Sequence, residues 1–164
     1  MIKQLNIAIL TMFGIGESKF APGTVASFVT CLIYICLYNY QIKISLLLIF
    51  LGLLIIFSSY AIDKFKNVFK EIDAKEIVID EFIGQSVPIL TIYNIIEKNN
   101  FNHFILYTFL SFILFRIFDI WKPYPINKID NEMKNGFGVI LDDLVAGVFS
   151  AIILLTFIFF INYG

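Results

Sequence analysis

Two pairs of adjacent carboxylates, Asp80-Glu81 and Asp142-Asp143, stand out in a chain that is only 15% charged. The first follows the apolar triplet Ile77-Val78-Ile79, and the second follows Gly136 and Gly138 and opens an apolar run. Acids at such a boundary are costly unless they bind something, although at a helix start they also complement the helix dipole. Arg116 and Asp119 are three residues apart, so on a helix they share one face and can pair. Pro123 disfavours helical geometry at Lys122 and sets that lysine at a helix exit. A fourth group runs from Gly14 through Ala21-Pro22-Gly23-Thr24 to Ser27. Its glycines permit close backbone approach, and Thr24 opens a helix whose free N–H groups can hold a phosphate. An N-cap and a turn account for that stretch as well.

Taken one at a time, each acid pair reads as a helix cap. Taken together with Asp119, Arg116 and Lys122 they converge on one plane, and hard oxygen ligands in that number suit Mg²⁺. Other chemistries fall away. The sole histidine, His103, lies on the basic-poor side, away from the acids, which leaves no histidine nucleophile and no Ser-His-Asp arrangement. Asp142 and Asp143 are adjacent rather than alternating, so no DxDxT phosphatase motif exists. Cys31 and Cys36 lie in an apolar run without a CxxC spacing, and buried thiols of that kind are inert. Carboxylates, a metal and basic residues remain.

The elements that must position these groups are membrane helices. At 164 residues, with 59% hydrophobic and 17% aromatic residues and a mean hydropathy of +0.86, the chain has room for one domain, 1–164. That composition excludes a disordered tail, a nucleic-acid binder and an ordinary cytosolic enzyme. Segments 44–62 and 144–161 carry no charge over 19 and 18 residues, long enough for a ~30 Å hydrocarbon core. Segments 24–40 and 101–115 are further spans. Segment 82–96, which contains Gln85, Pro88 and Asn94, spans only with thinning or snorkelling.

Charge placement decides for five crossings. Of the 12 basic residues only Lys43 and Lys98 then fall on one side, and of the acids only Glu97. Such a bias makes the charge-rich side cytoplasmic. The expected fold is all-α: a small polytopic membrane bundle of about five short helices, N-terminus inside and C-terminus outside, with a half-crossing re-entrant segment at 82–96 as the structural alternative. Residues 5–13 are expected to lie on the membrane or against the bundle.

Four blocks, APGTVAS (21–27), IVIDEFIG (77–84), FRIFDIWKPYPI (115–126) and GFGVILDDLVAGV (136–148), are similar in order and separation to the phosphatidylglycerophosphatase A family. The resemblance runs from about Gly14 to Val148. It implies a Mg²⁺-dependent phosphatase of the bacterial inner membrane that converts phosphatidylglycerophosphate to phosphatidylglycerol and inorganic phosphate at the cytoplasmic face. On that reading Asp80, Glu81, Asp142 and Asp143 hold the metal, and Arg116 and Lys122 neutralise the phosphate. Asp119 orients Arg116 or accepts a proton, and Gly23 and Thr24 offer backbone donors. The partners are the phospholipid substrate and the membrane, with no nucleic acid. A non-catalytic or cation-transporting membrane protein is the rival. A transporter, however, places its acids at mid-membrane, and a scaffold gives no reason for seven ionisable groups to converge.

Overall fold

A computed structural model describes residues 2–69, 73–96 and 100–163. Helices α1 (Ile2–Leu10), α2 (Pro22–Asn39), α3 (Ile44–Phe69), α4 (Ile79–Tyr93), α5 (Phe101–Trp121), α6 (Ile126–Glu132) and α7 (Gly136–Tyr163) follow in order, with one 3₁₀ turn at Ile15–Glu17. Among the described residues there is no strand. The expected all-α membrane bundle is therefore present.

Four of the helices are long and apolar enough to cross a membrane: Pro22–Asn39, Ile44–Phe65, Phe101–Trp121 and Gly136–Ile161. Their outer faces carry large exposed apolar side chains, Ile49, Leu53 and Ile56 on α3 and Ile152, Phe159 and Phe160 on α7, as a lipid-facing surface requires. The fifth expected span differs. At 15 residues α4 is about 22 Å long, short of the hydrocarbon thickness. It is nevertheless the helix around which the others pack, touching α2, α3, α5 and α7 and burying nearly all of its residues. Its start meets the starts of α2 and α7, where Gly23 lies against Glu81 and Gly84 against Asp143. Its far end meets the α2–α3 turn, where the Tyr93 hydroxyl lies 3.0 and 2.9 Å from the Leu37 and Ile42 carbonyl oxygens. Thus α4 runs between the same two ends as its neighbours, sheathed by them. Of the residues behind the sequence-based sidedness, Lys70, Glu71, Glu97 and Lys98 lie outside the described residues, as does the Lys66 side chain.

The core contact is between α4 and α7, which run parallel. A Cβ at Gly147 would strike the carbonyl of Gly84, and one at Gly84 would lie 2.7 Å from both the Asp143 carbonyl oxygen and the Phe115 ring. Small residues let two backbones approach this closely. Pro88 has no N–H to give the Gly84 carbonyl one turn back, and it is against that same carbonyl that Gly147 packs. Four buried hydroxyls are satisfied within their own helices: Ser27 donates to Gly23, Thr30 to Ala26, Ser86 to Phe82 and Ser150 to Ala146, at 2.6 to 2.9 Å. At mid-bundle the Gln85 amide donates to Ser111 Oγ at 3.0 Å.

Local signals set the ends that matter. Pro22 occupies the first turn of α2, where its missing N–H costs nothing. Asn135 caps α7, its Oδ1 accepting from the Gly138 N–H at 2.7 Å, while Asp63 of α3 accepts from the Gly136 N–H at 2.8 Å. That cap starts α7 eight residues before the apolar run, which corrects the expectation that Asp142-Asp143 open the helix: they stand in its second turn. Helix α5 ends at Lys122 as Pro123 demands, with Lys122 at φ +45° and its N–H on the Phe118 carbonyl at 2.8 Å. Helix α1 packs on α3, and the Leu10 carbonyl accepts from the Val78 N–H at 3.0 Å. The N-terminal segment therefore lies against the bundle.

Replacing Gly147 by alanine drives a methyl into the Gly84 backbone, which cannot turn aside as a side chain would. The expected cost is about 1–3 kcal/mol, read as a lower thermal midpoint in detergent. An unchanged midpoint would show that α4 and α7 are not held in backbone contact.

Candidate active site at the α4–α7 boundary

Parallel helices in backbone contact bring equivalent turns to one level. Asp80 is one turn before Gly84 and Asp143 one turn before Gly147, so the two aspartates meet one turn away from where the glycines touch. Glu81 points about 100° around α4 from Asp80, but its longer arm returns it to the group. Ligand oxygens of Asp80, Glu81 and Asp143 all lie within 4.8 Å of one another. Asp80 and Asp143 are buried, 7% and 4% exposed, and Glu81 is half-buried. One oxygen of each, Asp80 Oδ1, Glu81 Oε2 and Asp143 Oδ2, is buried without a hydrogen-bond partner.

Such an arrangement needs a counter-charge. Three carboxylates withdrawn from water repel one another, and buried charges persist only when paired or coordinated. Their free oxygens fit a hard divalent cation, for which all-oxygen ligation is the rule.

Gly23 has a structural task here. The Glu81 carboxylate lies on the first turn of α2 so closely that a Cβ at Gly23 would overlap it. The positive end of α2 thereby faces the acid. The free first-turn amides, expected for phosphate, stand beside Glu81.

The basic residues flank the acids. Arg116 Nη1 lies 2.6 Å from Asp119 Oδ2 and 3.5 Å from the Ser27 hydroxyl, while its Nε is buried without a partner. Asp119 is close enough to Asp143 and Glu81 for their charges to act on each other. Thr24 and Arg116 share a groove of about 510 Å³ between α2 and α5, together with Trp121.

Lys122 is held between two acids, with Nζ 2.7 Å from Asp142 Oδ2 and 3.1 Å from Asp130 Oδ1. Burial pushes the Lys122 ammonium down, but hydrogen bonding and attraction from Asp142 and Asp130 outweigh it and hold it above the ordinary lysine range. Lys122 is thus a permanent cation.

The structure brings together three of the four expected metal ligands. Asp142 stands apart, because adjacent helical residues diverge by about 100° and its shorter arm meets Lys122 instead; its Oδ1 is buried and unpartnered. Asp130, on α6, escaped sequence reasoning, since nothing in Ile129-Asp130-Asn131 marks it. Ser27 was legible only as part of the first block. His103 is exposed on the first turn of α5, at the end remote from the acids.

A family model described as Phosphatidylglycerophosphatase A matches residues 8–158. Among curated relatives, a Bacteroides thetaiotaomicron protein provisionally named a phosphatidylinositol-3-phosphatase is 36% identical, covering 92% of this chain and 91% of its own. Two proteins named phosphatidylglycerophosphatase A are also similar. The one from Haemophilus influenzae is 30% identical over 86% of this chain and 81% of its own, and the one from Escherichia coli is 32% identical over 87% and 77%. No solved structure matches.

A cation site predicts that Mg²⁺ or Mn²⁺ raises the thermal midpoint of the detergent-solubilised protein, since a ligand of the folded state stabilises it. Asp143→Asn is expected to remove that shift and Gly23→Ala, which displaces Glu81, to weaken it. A wild-type midpoint indifferent to both ions would show that the three carboxylates serve some other purpose.

Proposed function

The chain belongs to the phosphatidylglycerophosphatase A family, and from that premise we propose that it hydrolyses phosphatidylglycerophosphate to phosphatidylglycerol and inorganic phosphate at the Asp80–Glu81–Asp143 site. The observation that carries the reading is the meeting of three carboxylates, each with a buried, unpartnered oxygen, beside two cations in a membrane bundle.

Asp80, Glu81 and Asp143 hold the divalent cation, Mg²⁺ by the hardness of its ligands. Bound there, it supplies polarisation of a phosphate oxygen and a more acidic water. Arg116, its Nε free and its Nη1 held by Asp119, presents planar donors to the phosphate. Lys122, fixed at the end of α5 by Asp142 and Asp130, neutralises charge that grows on the phosphoryl oxygens. Asp119 keeps Arg116 in place and stands near enough to Asp143 to take the proton of the attacking water. Thr24 lies with Arg116 in the α2–α5 groove and contacts the phosphate from the opposite flank. A water oxygen bonds to phosphorus, the bond from phosphorus to the glycerol oxygen breaks, and that oxygen leaves with the proton that the attacking water gave up.

The charged end of the bundle faces the cytoplasm on this reading, because Lys64, Lys122, Lys128 and Lys134 cluster there while Lys43 marks the other end. The acyl chains stay in the bilayer and only the headgroup reaches the carboxylates.

The 36% identical relative, with its inositol-lipid name, supports a second substrate of the same class, a phosphomonoester on a larger polyol headgroup. The test is phosphate release by the purified protein from phosphatidylglycerophosphate and from phosphatidylinositol 3-phosphate, with Mg²⁺ and then with EDTA. Release from phosphatidylglycerophosphate is expected to exceed that from the inositol lipid and to stop with EDTA. The reverse preference would move the assignment to the inositol lipid, and release that survives EDTA would remove the metal. Asp143→Asn is expected to lower the rate by at least ~10²-fold, the scale of losing a main electrostatic element. His103→Ala, at the remote end, should stay within about threefold; a larger loss would contradict a single site at the α4–α7 boundary.

A further inference from the structure

Helices α2 and α3 are consecutive and joined by a short turn, yet along their lengths they scarcely touch. The Tyr93 hydroxyl holds the turn itself against the end of α4, and from there the pair opens into a cleft of about 610 Å³. Its walls are Val29 and Ile33 of α2 and Phe50 and Leu54 of α3, its floor is Ile79 and Phe82 of α4, and the turn after α1 roofs it at Met12. Every lining side chain is apolar except for the Tyr34 hydroxyl. Such a volume falls within the range of small-molecule sites, about 300–1,000 Å³.

We propose that this cleft receives one acyl chain of the lipid whose phosphate is cleaved at the carboxylate cluster. The inference rests on the phosphatase reading and adds where the substrate's hydrocarbon goes. Its ground is continuity. Ile79 and Phe82, the floor, bracket Asp80 and Glu81 in the chain, so the floor of the cleft and the site share one turn of α4. From that turn the cleft runs between two helices of membrane-crossing length and opens sideways past Ile33 and Phe50, which are 38% and 53% exposed. A glycerolipid seated with its phosphate on the carboxylates must send its chains down the bundle from that level. Here a chain finds an apolar wall on three sides and an open side facing the bilayer. The groove between α2 and α5 is shallower and has Arg116 and Thr24 at its edge, groups suited to the headgroup.

The test compares kcat/KM for dioleoyl and dihexanoyl phosphatidylglycerophosphate in mixed micelles. Val29→Trp, which narrows the cleft, is expected to lower the dioleoyl-to-dihexanoyl ratio about tenfold, the scale at which a hydrophobic pocket discriminates small changes of fit. Ile33→Trp, at the open side, tests the same point without burying new bulk. Leu53→Trp, exposed on another face of α3, should leave the ratio within about twofold. An unmoved ratio in both cleft variants overturns the cleft assignment and leaves the phosphatase intact, as does a fall seen instead with Ile113→Trp in the α2–α5 groove. A wild-type protein that cleaves neither lipid would overturn the phosphatase reading and this inference with it.

Discussion

The contact of Gly84 with Gly147 is the constraint on which the rest depends. Two parallel helices can place acidic side chains at one level only if their backbones are close and their turns are in register. Here the absence of two side chains achieves both. The Gly84 carbonyl, released by Pro88 from its own helix, is the surface on which Gly147 rests. One turn away, toward the charged end, Asp80 and Asp143 arrive together. The Phe115 ring against Gly84 ties α5 to the same point, and α5 carries Arg116, Asp119 and Lys122 past it to the boundary.

Charge is then distributed by arm length and direction. Glu81 reaches back to Asp80 and Asp143, and Gly23 makes room for it. Asp142, a neighbour of Asp143 in the chain, points elsewhere and shares Lys122 with Asp130. Arg116 has Asp119. The result is three acids with free oxygens and two cations already held in place, an arrangement ready for a small anion and a metal together. All of it sits at one end of a bundle whose opposite end is aromatic, with Tyr38 stacked on Phe104 at 3.8 Å and edge-on to Tyr93. The far end closes the bundle and anchors the α2–α3 turn, while the near end gathers the charged groups.

The same scheme accounts for how a short helix serves as a core. Helix α4 is too short to cross alone and carries a proline and a glutamine. Both are tolerable because α2, α3, α5 and α7 surround it, and Gln85 finds Ser111. Its shortness also sets its first turn, with Asp80 and Glu81, against the starts of α2 and α7 and the end of α5.

Much of this was legible in the residues themselves. Long apolar runs demand helices in a bilayer, so the all-α bundle and four of its spans followed from composition and run length. Pro123 located the end of α5, and acids gathered at boundaries pointed to the candidate site. The motif blocks named the family. What the chain alone left open was direction around a helix. That Asp143 joins Asp80 while Asp142 turns to Lys122 depends on how α7 is rotated against α4, which the two glycines and the Asn135 cap decide. Asp130 became a partner of Lys122 only once α6 packed on α7, and the α2–α3 cleft arises because α4 stands between two helices that are neighbours in sequence. Hydropathy and spacing record what each segment prefers by itself. Rotation, register and reach are properties of pairs of segments, and they exist only in the packed bundle.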